Sequence, residues 1–179
     1  MSSLNPSLFH RIIHKLRAIP DYPTPGVIFR DITPVLADPA LLAAVVADME
    51  APFRASGITH VAGIEARGFI LGAPIALAVG AGFVPVRKSG KLPWKSVRRE
   101  YELEYGSAAL EAHQDAFHRS ARVLIVDDVL ATGGTAAAAA GLVRELGGEV
   151  VGWTFLLEID GLGGRARLEG APIHVSAAV

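Results

Sequence analysis

The chain has 179 residues, enough for one domain with a real core. Its 17 basic and 18 acidic residues leave a formal charge of −1, which excludes a global pull on nucleic acid or membrane, so any anion site must come from local clustering. It has no cysteine, which excludes disulfides and thiolate metal sites and permits a reducing compartment.

Asn5-Pro6 reads as a helix N-cap with proline in the first turn. Leu8, Ile12, Leu16 and Ile19 then recur at helical spacing, with His10, Arg11, His14, Lys15 and Arg17 on the other side. His10 and His14 have a zinc-compatible spacing but no third ligand nearby, so they read as a solvated face. These charges interrupt any signal-peptide core, and no run of about 18 apolar residues occurs anywhere. A cytoplasmic protein without nucleic-acid or membrane partners is expected.

Pro20 to Pro34 is punctuated by Pro23, Pro25 and Gly26, which forbid a long helix. Val27, Ile28, Phe29 and Ile32 are too apolar for a free linker. The stretch reads as a stiff flap whose Phe29 covers something, or as a packing loop. Asp38-Pro39 opens the next helix, with Leu41, Val45, Met49 and Phe53 on one apolar face.

Ile58 to Ile64 reads as a strand, followed by Glu65-Ala66-Arg67-Gly68 and a helical pattern to Val79. Such junctions gather at the carboxyl ends of parallel strands. Arg67 offers a planar fork of donors to a phosphate group, or else pairs at the surface with an acid such as Glu65. Gly82 to Arg87 is the next strand. A basic stretch leaves it, with Arg87, Lys88, Lys91, Lys95, Arg98 and Arg99 before the first acid at Glu100. A free basic run is usually only solvated; one leaving a strand end beside an anion site binds the anion. Glu100 to Gly106 alternates Tyr101, Leu103 and Tyr105 with Glu100, Glu102 and Glu104, the period of a strand or ribbon.

Val123-Leu124-Ile125-Val126 lacks polar alternation and fits a strand buried on both faces. Asp127-Asp128 follows, then the small-residue loop Ala131-Thr132-Gly133-Gly134-Thr135, then an alanine-rich helix to Leu146. Glycine lets the backbone approach an anion closely, and helix-start N–H groups point at it. Thr132 and Thr135 add hydroxyl donors. Ionised acids repel phosphate but suit sugar hydroxyls or a phosphate-borne Mg²⁺. A ribose 5-phosphate satisfies both parts. The loop is neither a Walker A, lacking Gly-Lys-Ser/Thr, nor a dinucleotide fingerprint. Val150 to Ile159 is a further strand, Arg165 to Glu169 a short helix and Ile173 to Val175 a last short strand, with His174 structural.

The Val123–Thr135 string resembles the phosphoribosyl diphosphate signature of type I phosphoribosyltransferases. The P-T-P-G-V-I-F-R-D stretch with Leu103-Glu104-Tyr105-Gly106 is similar to the adenine-specific branch. The resemblance spans Asp21 to about Gly170. It implies an α/β fold, a mostly parallel sheet flanked by helices, as one domain over 1–179 with a small N-terminal hood in about the first 35 residues. It implies transfer from 5-phosphoribosyl 1-diphosphate to adenine in purine salvage, giving AMP and diphosphate, with Mg²⁺ carried by the substrate rather than by a protein metal site.

By the same resemblance, Ile28 and Arg30 offer backbone groups to the adenine edge and Phe29 stacks on its face. Arg67, Arg87, Lys88 and Lys91 hold the diphosphate, with Tyr105 helping to close the site. Glu104 is the general acid/base, and a strained or cis peptide falls near Glu65-Ala66-Arg67. Asp127, Asp128 and the loop Ala131 to Thr135 take the ribose and its phosphate. A two-fold homodimer is implied, with reach of the basic loop across it left open. Hypoxanthine, guanine, xanthine or orotate as the base would want a Lys or Arg side chain there, which Ile28-Phe29 does not supply. A regulator that binds phosphoribosyl diphosphate without turnover is the other reading, and Glu104 argues against it.

Overall fold

The computed structural model describes residues 6–102 and 107–179. Helix α1 (Pro6–Lys15) buries Leu8 and Ile12 and exposes His10, Arg11 and His14. The predicted N-cap Asn5 lies outside the described residues. The helix does not run on to Ile19. Pro20 pushes the residue before it into extended backbone, and Arg17–Pro20 becomes strand β1. It pairs antiparallel with β2 (Ile28–Asp31), which sets Ile19 opposite Phe29. The predicted flap is therefore a two-stranded ribbon, closed by a turn with a cis Tyr22–Pro23 bond and Gly26 at φ +87°.

Helix α2 (Thr33–Leu36) is too short to announce itself by periodicity. Helix α3 (Pro39–Glu50) follows as expected: the Asp38 carboxylate accepts from the Leu41 N–H at 3.0 Å, and Leu41, Val45 and Met49 are buried. Strand β3 (His60–Ile64) feeds α4 (Arg67–Val79), and β4 (Gly82–Lys88) follows. Strands β5 (Ser96–Glu102) and β6 (Ser107–His113) come next. The central strand β7 (Arg122–Leu130) leads through the glycine loop into α5 (Gly134–Glu145). Strands β8 (Glu149–Glu158) and β9 (Ile173–Ala178) complete the chain, with a 3-10 turn at Gly164–Arg167 between them.

The seven-stranded sheet has the order β5-β6-β4-β3-β7-β8-β9. The neighbours from β4 to β9 run parallel, whereas β6 is antiparallel to both β4 and β5. The mostly parallel sheet is as predicted, and the antiparallel edge is new. The basic stretch is shorter than its charges suggest, because β4 runs to Lys88 and β5 begins at Ser96.

Alternation along β7 divides the core. Val123 and Ile125 pack with Ala136, Ala139, Leu142 and Phe155 on the α5 side. Leu124 and Val126 pack with Leu41, Val45, Leu71 and Ile75 on the α3 and α4 side. The alanines of α5 let that helix lie close to the sheet, and both faces are covered, as a parallel sheet requires. His174 is structural: its Nε2 sits 2.8 Å from Asp48 Oδ2, which also accepts from the Ser176 hydroxyl at 2.7 Å. Among the described residues no helix is long and apolar enough to cross a membrane.

Candidate active site

The crevice opens at the carboxyl ends of β3, β4 and β7, where a parallel sheet delivers its loops. Strand β7 is longer than its apolar run. Asp127 and Asp128 lie within it, Asp127 opposite Phe155, and pairing continues to Leu130. Successive side chains therefore point to opposite faces. Asp127 follows Val123 and Ile125 toward α5 and lines the cavity under the glycine loop. Asp128 follows Leu124 and Val126 toward α4, where it forms an ion pair with Arg67. Asp127 also stays close to the start of α4, where its Oδ1 would meet a Cβ on Gly68 at 3.0 Å. Burial and the neighbouring charge of Asp128 push the Asp127 carboxyl well above its usual range, against the Asp128 N–H that donates to it at 2.9 Å.

The loop of residues 131–135 encloses a cavity of about 80 Å³ lined from Asp127 and Val129 to Ala136. Gly133 sits at φ +79° just before α5, and its carbonyl accepts from the Ala137 N–H at 2.9 Å. The first N–H groups of the helix remain for a ligand. Thr132 and Thr135 line the same cavity.

A second cavity of about 270 Å³ lies between the hood and this loop. Val27, Ile28, Phe29 and Arg30 form its upper wall, Arg67 one side, and Val129, Ala131, Ile159 and Leu162 the rest. Val129 and Ala131 line both cavities, so the two meet there. Ile28 is 55% exposed and Leu162 45%, apolar surface open to a planar ligand. Tyr22 buttresses Phe29 edge-on at 5.3 Å, and the Arg67 guanidinium lies 5.6 Å from the centre of the Phe29 ring. The hood is anchored at Asp31, which accepts from the Thr33 N–H at 2.9 Å and hydroxyl at 2.8 Å and pairs with Arg17 at 3.2 Å.

The peptide between Glu65 and Ala66 is cis, at the place the sequence indicated. Arg67 pairs with Asp128 and not with Glu65. Glu65 instead receives the Lys91 ammonium at 2.7 Å, the Lys88 N–H at 3.0 Å and Arg87 Nη2 at 3.5 Å. Burial opposes its ionisation, but these donors win and hold the carboxyl down to about 2. Glu65 thereby gathers the Arg87 and Lys91 side chains and the Lys88 main chain. Lys95 is not among this group. Arg98 pairs with Glu100 at 3.0 Å and Arg99 approaches Glu145 at 3.9 Å, both away from it. Glu104 and Tyr105 lie outside the described residues.

Sequence reasoning passed over Val129, Ile159 and Leu162 as pocket walls, and Gly164 as the floor of the loop. A Cβ on Gly164 would meet the Ala131 carbonyl at 2.2 Å. None of these announces itself by type; only the return of β8 and the following turn to the crevice reveals them.

The phosphoribosyl transferase domain model matches residues 35–169, leaving out the hood. A curated adenine phosphoribosyltransferase of Myxococcus xanthus is 62% identical over 86% of this chain and 84% of its own length. The crystal structure of adenine phosphoribosyltransferase from Rhodothermus marinus is 49% identical and superposes with a TM-score of 0.93, covering 98% of this chain and all of that one. The Saccharomyces cerevisiae enzyme, crystallised with an imino-altritol bisphosphate and adenine, is 39% identical with a TM-score of 0.87, covering 94% of this chain and 97% of that one.

Proposed function

The chain belongs to the adenine phosphoribosyltransferase family, and from that membership we propose how its residues share the reaction. It converts adenine and 5-phosphoribosyl 1-diphosphate to AMP and diphosphate, a purine salvage step. The observation that carries our assignment of sites is the junction of two unlike cavities, one polar and backbone-lined, one apolar and flat, at Val129 and Ala131. A nucleoside monophosphate has the same division, with its sugar at the join.

In this reading the loop Ala131 to Thr135 holds the 5-phosphate through N–H and hydroxyl donors. Asp127 and Asp128 take the ribose hydroxyls. Phe29 stacks on adenine from the hood side, and backbone groups of Ile28 and Arg30 meet its edge. Arg67, Arg87, Lys88 and Lys91 hold the diphosphate. As the C1–O bond breaks, both electrons leave on the diphosphate oxygen, and these cations offset the charge. A ring nitrogen of adenine bonds to C1, and Glu104 takes the purine proton. Tyr105 belongs to the same closing segment. Mg²⁺ would arrive on the diphosphate as part of the substrate and supply charge neutralisation, and the carboxylate oxygens of Asp127 and Asp128 are donors that would suit it.

We also infer a two-fold dimer. Helix α4 has no charge after Arg67 and exposes Ile70 at 47% and Leu77 at 84%, seven residues apart on one face. Leu77→Glu should yield monomers by light scattering; an unchanged dimer would move the interface elsewhere. A phosphorylated sugar does not cross membranes unaided, which supports a cytoplasmic site of action. The function is tested by offering radiolabelled adenine, hypoxanthine and guanine with phosphoribosyl diphosphate. Adenine should be preferred in kcat/KM by roughly 100-fold or more. Comparable rates with an oxopurine, or no turnover at all, would defeat the reading.

A further inference from the structure

Two buried carboxylates have no role in these assignments, yet both end on the same turn. Glu65 directly follows β3 with its side chain 9% exposed, and Glu111 on β6 is 8% exposed. Between them they bond every residue from 88 to 91. Glu65 takes the Lys88 N–H at 3.0 Å and the Lys91 ammonium at 2.7 Å. Glu111 takes the Ser89 hydroxyl at 2.7 Å and the Gly90 N–H at 3.0 Å. Arg87 closes the figure by donating from Nη1 to the Lys91 carbonyl at 2.8 Å.

Neutralising charge would need only the ammonium and guanidinium contacts. Two of the bonds come instead from main-chain N–H groups, and those fix the path of the chain. Gly90, at φ +82°, lets the turn close, and the Ser89 N–H is tied to the Ala109 carbonyl at 3.0 Å. Lys91 keeps further N–H donors for a ligand after meeting Glu65. Two carboxylates against three cations still leave the turn positive. We propose that Glu65 and Glu111 are positioning residues for the diphosphate, holding the 88–91 turn so that Arg87, Lys88 and Lys91 are already presented when substrate arrives. A turn rich in lysine and glycine would otherwise be ordered at the expense of binding. The proposal rests on the reading of those cations as diphosphate ligands.

The test is steady-state kinetics with diphosphate as product inhibitor, on Ser89→Ala, Glu65→Gln and, as reference, Lys91→Gln. Ser89 is exposed, so its variant keeps the fold. Ser89→Ala and Glu65→Gln should raise the KM for phosphoribosyl diphosphate and the Ki of diphosphate about 3- to 10-fold. The kcat and the KM for adenine should stay within about twofold. Ser89→Thr, which keeps the hydroxyl, should restore wild-type values. If Lys91→Gln weakens diphosphate and the other two variants do not, the clamp is refuted while the assignment of the cations stands. If Lys91→Gln also changes nothing, that assignment falls and the clamp with it. Tighter diphosphate binding in Glu65→Gln would make Glu65 a competitor and overturn the proposal.

Discussion

Gly133 carries the cradle at a conformation other residues resist. Its φ is +79°, and a Cβ there would come within 2.5 Å of the Gly164 carbonyl. Gly133→Ala should cost about 1–3 kcal/mol in denaturant unfolding and weaken phosphoribosyl diphosphate binding in calorimetry. Full affinity would mean that the loop does not need this shape. Asp127 is the opposite case, an acid whose ionisation costs stability. Its carboxyl is raised above the ordinary 3.8, so ionising it destabilises the fold as pH climbs through that value. Asp127→Asn keeps an oxygen for the Asp128 N–H. The variant should melt like wild type near pH 3 and higher than wild type at pH 8, by about 2–4 °C per kcal/mol, while losing activity. An equal melting temperature at both pH values would show that no such cost exists. Glu104→Gln should lower adenine turnover roughly 100-fold if the carboxylate handles the purine proton; near-normal turnover removes that role. These residues were legible in the sequence because each stands in a string with its own chemistry. Leu162 and Ile159 were not, because an apolar residue becomes a pocket wall only through what packs around it.

At the level of elements, the strand–loop–helix junctions at Arg67 and Thr135 could be read directly, since buried apolar strands and small-residue loops are local signals. Two pieces could not. Strand β6 reads Ser-Ala-Ala-Leu-Glu-Ala-His, mostly good helix formers, and its buried run from Ala109 to Ala112 hides any alternation. Its pairing with β4 and β5 makes it a strand. The ribbon of β1 and β2 was hidden because prolines mark its end and turn, while the pairing partners lie ten residues apart at Ile19 and Phe29, with their contact set by tertiary closure. The task proposed for the hood can be isolated. Phe29→Ala removes the ring between Tyr22 and Arg67 and should raise the KM for adenine about 10-fold or more, leaving that for phosphoribosyl diphosphate unchanged. Equal effects on both substrates would mean that Phe29 supports the whole crevice rather than the base.

Across the whole molecule a net charge of −1 conceals a divided surface. Cations collect at the start of α4 and where β4 ends, acids stand after β3 and on β7, and ion pairs, Arg67 with Asp128 and Lys91 with Glu65, balance the crevice. Acid should undo this in a defined order. Glu65 is held down to about 2 from an ordinary 4.5, so the stability it contributes is complete above 4.5 and disappears as pH falls toward 2. Its pairing with the basic turn should therefore persist at pH 4, so most of the melting-temperature gap between wild type and Glu65→Gln at pH 7 should remain at pH 4, and its disappearance there would contradict this. The most direct test of the account is a crystal of the protein grown with AMP. The phosphate should lie on the N–H groups of residues 131–135, the ribose hydroxyls against Asp127 or Asp128, and the adenine ring against Phe29. AMP bound elsewhere, or with its phosphate outside that loop, would contradict it.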